Sequence, residues 1–207
     1  MITFAENKNI KMMKRTVLFL STFLLTFNVL LAQEAKKEPW FSWGAGLSAN
    51  IPLSKKLSDE HKVLTMQNMD FGFNVRFKYD FFYGQTGLYF QLQKNTIRNI
   101  NTDKVALIES DYLLIPVTGG FRYKIKKIYT IRAFGTIAYA PMIYLSKNDF
   151  KFGRETVTPH LGYWSAGAGL DVLFMCIDLY YRRSINDVFV KGGCKSNTFN
   201  IAVYFNL

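Results

Sequence analysis

The strictest constraint in this chain is a two-residue alternation of apolar and polar side chains that recurs in paired blocks. It is cleanest between Asp70 and Gln91. With a two-residue turn at Asp80-Phe81, Phe71 meets Phe90, Phe73 meets Leu88, Val75 meets Thr86 and Tyr79 meets Phe82. On the other face Asp70 meets Gln91, Gly72 meets Tyr89, Arg76 meets Gln85 and Lys78 meets Tyr83. One register sorts both segments into an apolar and a polar face, which predicts a β-hairpin. The stretch Trp164–Arg182 repeats the pattern. A turn at Phe174-Met175 would set Val172 against Ile177, Leu170 against Leu179 and Ala168 against Tyr181. Its other face would pair Asp171 with Asp178, Gly169 with Tyr180 and Gly167 with Arg182.

The same reading gives eight strands. The first runs from Trp40 to Ile51, the fourth over Asp111–Tyr123, the fifth over Tyr129–Tyr144 and the last over Thr198–Leu207. Pro116 cannot donate to a ladder, so a bulge or irregularity is expected there. Polar stretches at Pro52–Gln67, Lys94–Ser110, Lys147–His160 and Ser184–Asn197 read as long loops, and the connections at Asp80, Lys126 and Phe174 as short ones. No helix-period segment of useful length follows the N-terminal region, and no internal linker divides the chain.

Alternation alone does not say which face is inside, because a soluble eight-stranded carrier turns its apolar face inward. Three features favour a membrane. The expected strands are near the length that crosses an outer membrane at a tilt. Short turns at one end and long loops at the other match outer-membrane asymmetry. Glycine on the polar face suits a narrow barrel in which small residues sit beside large ones. Backbone groups in lipid must be satisfied internally, so the last strand has to close on the first. The predicted fold is an all-β, eight-stranded antiparallel up-and-down transmembrane barrel over residues 40–207.

The N-terminus supports that location. Lys14-Arg15 precede an apolar run from Val17 to Leu31, and a cut after Ala32 would complete a secretory signal peptide over residues 1–32. Met12 or Met13 is a plausible true start, and residues 33–39 read as a periplasmic linker. Net charge is +11, but the basic residues are scattered and form no stripe or binding motif. The reading therefore excludes nucleic acid and favours a charged membrane surface. Cys176 and Cys194 fall at opposite ends of the expected barrel, too far apart for a disulfide, so both are expected to be free thiols.

The signal peptide ending in Ala32-Gln33, the segment Tyr112-Leu-Leu-Ile-Pro116, the run Ala166-Gly-Ala-Gly169 and the run Asp178-Leu-Tyr-Tyr-Arg182 followed by Asn186-Asp187 carry a resemblance. Together they resemble the PorT-like outer-membrane β-barrel family of Bacteroidetes. The resemblance covers essentially the mature chain. It implies the outer membrane of a Gram-negative bacterium and a structural or accessory role, with secretion of proteins through a type IX-like machinery as the associated process.

An eight-stranded barrel is filled by its own side chains, so porin activity is not expected. The residues expected inside include Asp70, Arg76, Lys78, Arg122, Arg132, Asp171, Asp178 and Arg182. Buried charges persist when paired, so these are read as a neutralising network. Asp171 facing Asp178 could in principle share a proton as an acid–base pair; Arg132 on the adjoining strand favours ion pairing instead. His61 and His160 fall in separate long loops without ligand spacing, which gives no metal site, no cofactor and no catalytic residue. Loop cations (Lys55, Lys56, Lys94, Arg98, Lys104, Lys147, Lys151, Arg154, Arg183, Lys191 and Lys195) could meet the phosphates of outer-leaflet lipopolysaccharide. Expected partners are thus membrane lipid, lipopolysaccharide and secretion-machinery proteins. The second reading is a surface-binding or adhesion barrel that works through its loops.

Overall fold

The computed structural model describes residues 40–53, 61–126, 128–146, 153, 156–190 and 195–206. The signal peptide, the linker and Cys194 lie outside the described residues. Eight antiparallel strands close in sequence order: β1 (Phe41–Pro52), β2 (His61–Tyr79), β3 (Phe82–Asn99), β4 (Val105–Lys126), β5 (Tyr129–Leu145), β6 (His160–Val172), β7 (Met175–Ser184) and β8 (Asn197–Asn206). β8 pairs with β1 from Asn206↔Gly44 to Thr198↔Pro52, so the wall has no seam.

The alternation decides what faces lipid. Phe71, Phe73, Phe77 and Tyr79 of β2, Phe82, Leu88 and Phe90 of β3, and Val117, Phe121 and Tyr123 of β4 all point outward and are exposed. Ile131 and Ile137, Leu170, Leu179, and Ile201 and Phe205 continue the belt around β5 to β8. The opposite face carries Asn, Gln, Ser, Asp and Arg, nearly all buried. Apolar side chains outside and paired polar ones inside make sense only in a hydrocarbon solvent with a closed sheet. The chain is an outer-membrane β-barrel. The short turns and both ends of the barrel sequence lie together, which marks that end as periplasmic.

The β2–β3 hairpin has the register read from the sequence, from Tyr79↔Phe82 up to Asp70↔Gln91. The β6–β7 hairpin differs by two residues. Its turn is Leu173-Phe174, so Val172 pairs with Met175, Asp171 with Cys176, Gly169 with Asp178 and Gly167 with Tyr180. At Pro116 no bulge forms, but the β3–β4 ladder is interrupted there, and the Thr86 hydroxyl donates to the Pro116 carbonyl at 2.8 Å.

Two expected long loops are largely strand. β3 and β4 continue outward past the apolar belt to a short connection at Ile100–Lys104, and β2 begins at His61. A four-stranded extension, β2 to β5, therefore rises above the extracellular membrane surface. Its outer face bears the Lys94–Glu109 ion pair at 2.7 Å, and an Arg98–Asp103 pair braces its tip.

Candidate functional site: the barrel interior and its closure

The interior is built from alternate positions of all eight strands, and its large residues fit because glycines stand beside them. Gly72 pairs with Tyr89, Gly46 with Tyr204 and Gly167 with Tyr180. Gly169 has a sharper role. It lies between Arg132 of β5 and Asp178 of β7, and the Arg132–Asp178 ion pair crosses the sheet over it. A Cβ there would run into the Asp178 carboxylate and the Arg132 guanidinium.

Six of the eight interior residues singled out in the sequence are joined in two ion-pair groups. Arg76 reaches Asp171 at 3.1 Å, Asp171 reaches Arg132 at 2.7 Å, and Arg132 reaches Asp178 at 2.6 Å. The second group joins Arg182 to Asp70 at 2.8 Å. Asp70 also accepts from Ser48 at 3.0 Å and from Asn50 at 3.2 Å. Lys78 and Arg122 also point inward, half-buried, where the wall nears its periplasmic rim. Arg122 lies across from Arg132.

Asp171 and Asp178 do not face each other. The slip in the β6–β7 turn places Cys176 opposite Asp171, and Arg132 holds both carboxylates, through Nε and Nη2 respectively. One guanidinium bridges two carboxylates that do not touch each other, so the arrangement is a charge ladder rather than a facing carboxylate pair.

Tyrosines complete the interior, and the alternation that sorts the strands would have found them. Tyr83 lies between two guanidiniums, each 5.4 Å from its ring centre, those of Arg76 and Arg132. Arg182 lies between Tyr163 and Tyr180, at 5.6 and 5.4 Å. Such contacts hold a desolvated cation where a hydrocarbon side chain could not. Among the described residues the interior holds a cavity of about 50 Å³ bordered by Ser48, Asp70, Tyr89, Arg132, Asp178 and Arg182. That accommodates roughly three to five waters.

The extracellular mouth is closed by apolar packing that the sequence reading treated as loop. Thr156–Thr158 runs antiparallel to Asp187–Val190: Val157 bridges to Phe189, the Thr158 amide donates to the Val188 carbonyl at 2.9 Å, and the Val190 amide to the Thr156 carbonyl at 2.9 Å. Val157, Val188 and Phe189 are buried with Ile97, Ile108, Tyr112 and Leu161. This lid caps the polar interior with a dry layer.

The remaining candidates are dispersed. His61 opens β2 rather than lying in a loop; His160 opens β6, stacked on Tyr139 and 2.7 Å from its hydroxyl. Lys94, Arg98 and Arg183 belong to strands, and Lys104 is exposed in the β3–β4 connection. Lys195 is half-buried before β8. Lys55, Lys56, Lys147, Lys151, Arg154 and Lys191 lie outside the described residues. Cys176 is a buried free thiol that accepts from Asn206 at 2.8 Å. Among the described residues no three His, Cys, Asp or Glu side chains converge as a metal site.

No protein-family model matches the chain, and no curated protein does. Among solved structures it is similar to a de novo designed transmembrane β-barrel, at 10% identity over 83% of this chain and 98% of that one, with a TM-score of 0.41. It is also similar to Ail, the attachment invasion locus protein of Yersinia pestis, at 14% identity over 81% of this chain and 96% of that one, with a TM-score of 0.39. A third is the translocator domain of the autotransporter NalP from Neisseria meningitidis, at 10% identity over 98% of each chain, with a TM-score of 0.35.

Proposed function

We propose that this barrel is a non-conducting, non-enzymatic scaffold of the outer membrane whose working surface is the extracellular β2–β5 extension. The observation that carries this reading is the sealed interior. Among the described residues, ion pairs and tyrosines occupy the lumen around a cavity of about 50 Å³, and an apolar lid packs over the mouth. Transport through the barrel is thereby disfavoured, and recognition falls to the outer surfaces. A rigid sheet that stands above the lipid belt is the largest such surface. The resemblance to PorT-like barrels makes export of proteins the process this scaffold would assist, with secretion-machinery proteins as partners and lipopolysaccharide as its surroundings.

Adhesion is the second reading, favoured by the exposed Ile100, Val105 and Leu107 at the tip of the extension. Large exposed apolar residues on a braced hairpin are a usual mark of a protein-docking surface. The experiment replaces Lys94–Ser110 with a short turn in a deletion strain. Secreted proteins should be lost from the medium while the barrel keeps its heat-modifiable gel mobility. Unchanged secretion with lost surface attachment would select adhesion, and no change in either would refute the assignment to the extension.

A further inference from the structure

Arg183, expected in a loop, is a residue of the lipid-facing wall, and its height in the membrane can be read from β5. Tyr129 and Tyr139 are exposed on the outward face of that strand, near its two ends. At 3.3 Å per residue they stand roughly 33 Å apart along the strand, or roughly 25 Å along the membrane normal at a tilt of about 40°. That is the height of an outer-membrane apolar band, and tyrosines at its borders mark the two membrane–water boundaries. Tyr129 follows a short turn and is periplasmic, so Tyr139 is at the extracellular boundary.

The register carries this level around the wall. Tyr139 pairs with Gly162, and one step nearer the membrane centre Ile137 pairs with Trp164. Trp164 lies opposite Arg183, and Arg183 opposite Asn197. Trp164 is 41% exposed and Arg183 is exposed, both on the outward face. Among the described residues no carboxylate forms an ion pair with Arg183.

The groups around this cation are held by one another. Trp164 meets Tyr181 edge-on with ring centres 5.6 Å apart, and the Tyr181 hydroxyl donates to Asn197 Oδ1 at 3.2 Å. Above them the Tyr139 hydroxyl lies 2.7 Å from His160 Nδ1. Asn186 donates to the His160 carbonyl at 2.6 Å and accepts from the Gly162 amide at 2.8 Å, which ties the segment after β7 to the start of β6.

An arginine on a lipid-facing wall lays its stem on apolar surface and lifts its guanidinium to the headgroups. With no carboxylate on hand, the planar fork there matches a phosphate. A phospholipid would supply that phosphate and leave the indole with hydrocarbon alone. A phosphorylated saccharide also sets an apolar ring face and hydroxyls beside its phosphate, which suits the apolar body and the N–H of an exposed tryptophan.

We propose that Arg183 and Trp164 form a binding site for the phosphorylated saccharide of outer-leaflet lipopolysaccharide. Arg183 meets the phosphate, the Trp164 indole lies against the sugar ring, the Tyr139–His160 pair borders the headgroup, and the acyl chains descend past Ile137 and Phe199. The proposal rests on the outer-membrane location of the barrel and not on the role given to the β2–β5 extension.

The test incubates the full barrel in detergent with lipid A and phosphatidylglycerol at equal concentration and measures retained lipid by native mass spectrometry. Heat-modifiable mobility confirms that each variant is closed. The wild type should retain lipid A in preference to phosphatidylglycerol, and excess inorganic phosphate should not displace it. A cation at an anionic lipid surface changes affinity by about fivefold, so R183Q should lower lipid A retention at least about that much. K104Q, in the β3–β4 connection, should leave it unchanged. Equal retention by R183Q would overturn the proposal, as would an equal loss in K104Q, which would show a general charge effect. Equal retention of phosphatidylglycerol by the wild type would overturn it by showing a site for any anionic lipid, and displacement by phosphate by showing a soluble-anion site. W164L keeps the charge and should lose the preference for lipid A; an unchanged preference would refute the saccharide against the indole.

Discussion

Gly169 can be tested as the saddle over which the interior ion pair passes. In Gly169→Ala the new methyl occupies the position of the Asp178 carboxylate oxygen that meets Arg132 at 2.6 Å. The backbone at this point is held by pairing on both sides, to Arg132 in β5 and to Asp178 in β7, so it is the side chain that must yield. Rotating Asp178 away forfeits a charge-assisted hydrogen bond, about 1.5–3 kcal/mol, and leaves a carboxylate buried with no cation, which raises the cost toward 3–5 kcal/mol. Arg132 retains Asp171 at 2.7 Å, so the lower part of that span, about 3 kcal/mol, is expected. The diagnostic is a double-mutant cycle. In an Asp178→Ala background the methyl meets only the end of the Arg132 side chain, which is released from Asp178 and can shift aside, and the strand gains the roughly 0.5–1 kcal/mol by which alanine is preferred over glycine. Gly169→Ala should then be neutral or slightly stabilising, giving a coupling of about 3 kcal/mol. Urea unfolding in phospholipid vesicles, followed by tryptophan fluorescence, measures all four corners. If Gly169→Ala costs the same in both backgrounds, the crossing of the ion pair over Gly169 is not what excludes a side chain there.

Two further perturbations address other parts of the barrel. Arg182→Met should destabilise by about 3 kcal/mol, the lower end of the range for an orphaned buried charge, because Asp70 keeps the Ser48 and Asn50 donors; the urea midpoint checks this, and Asp70→Asn in the Arg182→Met background should recover part of the loss. Phe189→Asp sets a charge in the apolar lid against Val157 and Leu161, so the lid should detach while the wall stays closed. Protease added to whole cells should then cut within Thr156–Thr158 or Asp187–Val190 in the variant and not in the wild type, with heat-modifiable mobility retained in both.

How far the fold was legible in the sequence depends on what the solvent imposed at each height of the barrel. Within the lipid belt every second residue must be apolar, so strands, faces and closure could be read directly. Above the belt that requirement ends. Gln93, Asn95 and Ile97 point inward and Lys94, Thr96 and Arg98 outward, which gives polar residues on both faces and no alternation to follow. The β3–β4 extension therefore read as loop, although its ladder continues without a break from Tyr89 to Arg98. The lid was hidden for a related reason: Val157 stands alone in a polar segment and Val188-Phe189-Val190 is a run of three with no alternation, so what buries Val157, Val188 and Phe189 is tertiary contact with no periodic signature.

Turn chemistry explains why one hairpin could be registered and another could not. At Asp80 the backbone is left-handed, with φ of 51°, and aspartate is among the residues that tolerate that region. The sequence thus signals the turn. The β6–β7 turn places Leu173 in the same region at φ of 55°, where leucine gives no such signal. With Leu173, Phe174 and Met175 chemically alike, the centre of the turn could slide along the chain. A slip of two residues changes every partner but moves no side chain to the other face. Gly169, Asp171, Asp178 and Arg182 accordingly stayed on the inward side under either turn, while the carboxylate expected opposite Asp171 proved to belong two pairs higher, across Gly169 and within reach of Arg132. Hydrophobic period fixes which residues enter the interior, and turn geometry fixes which of them meet. The ion-pair ladder needed both, and only the first was written in a form that alternation could reveal.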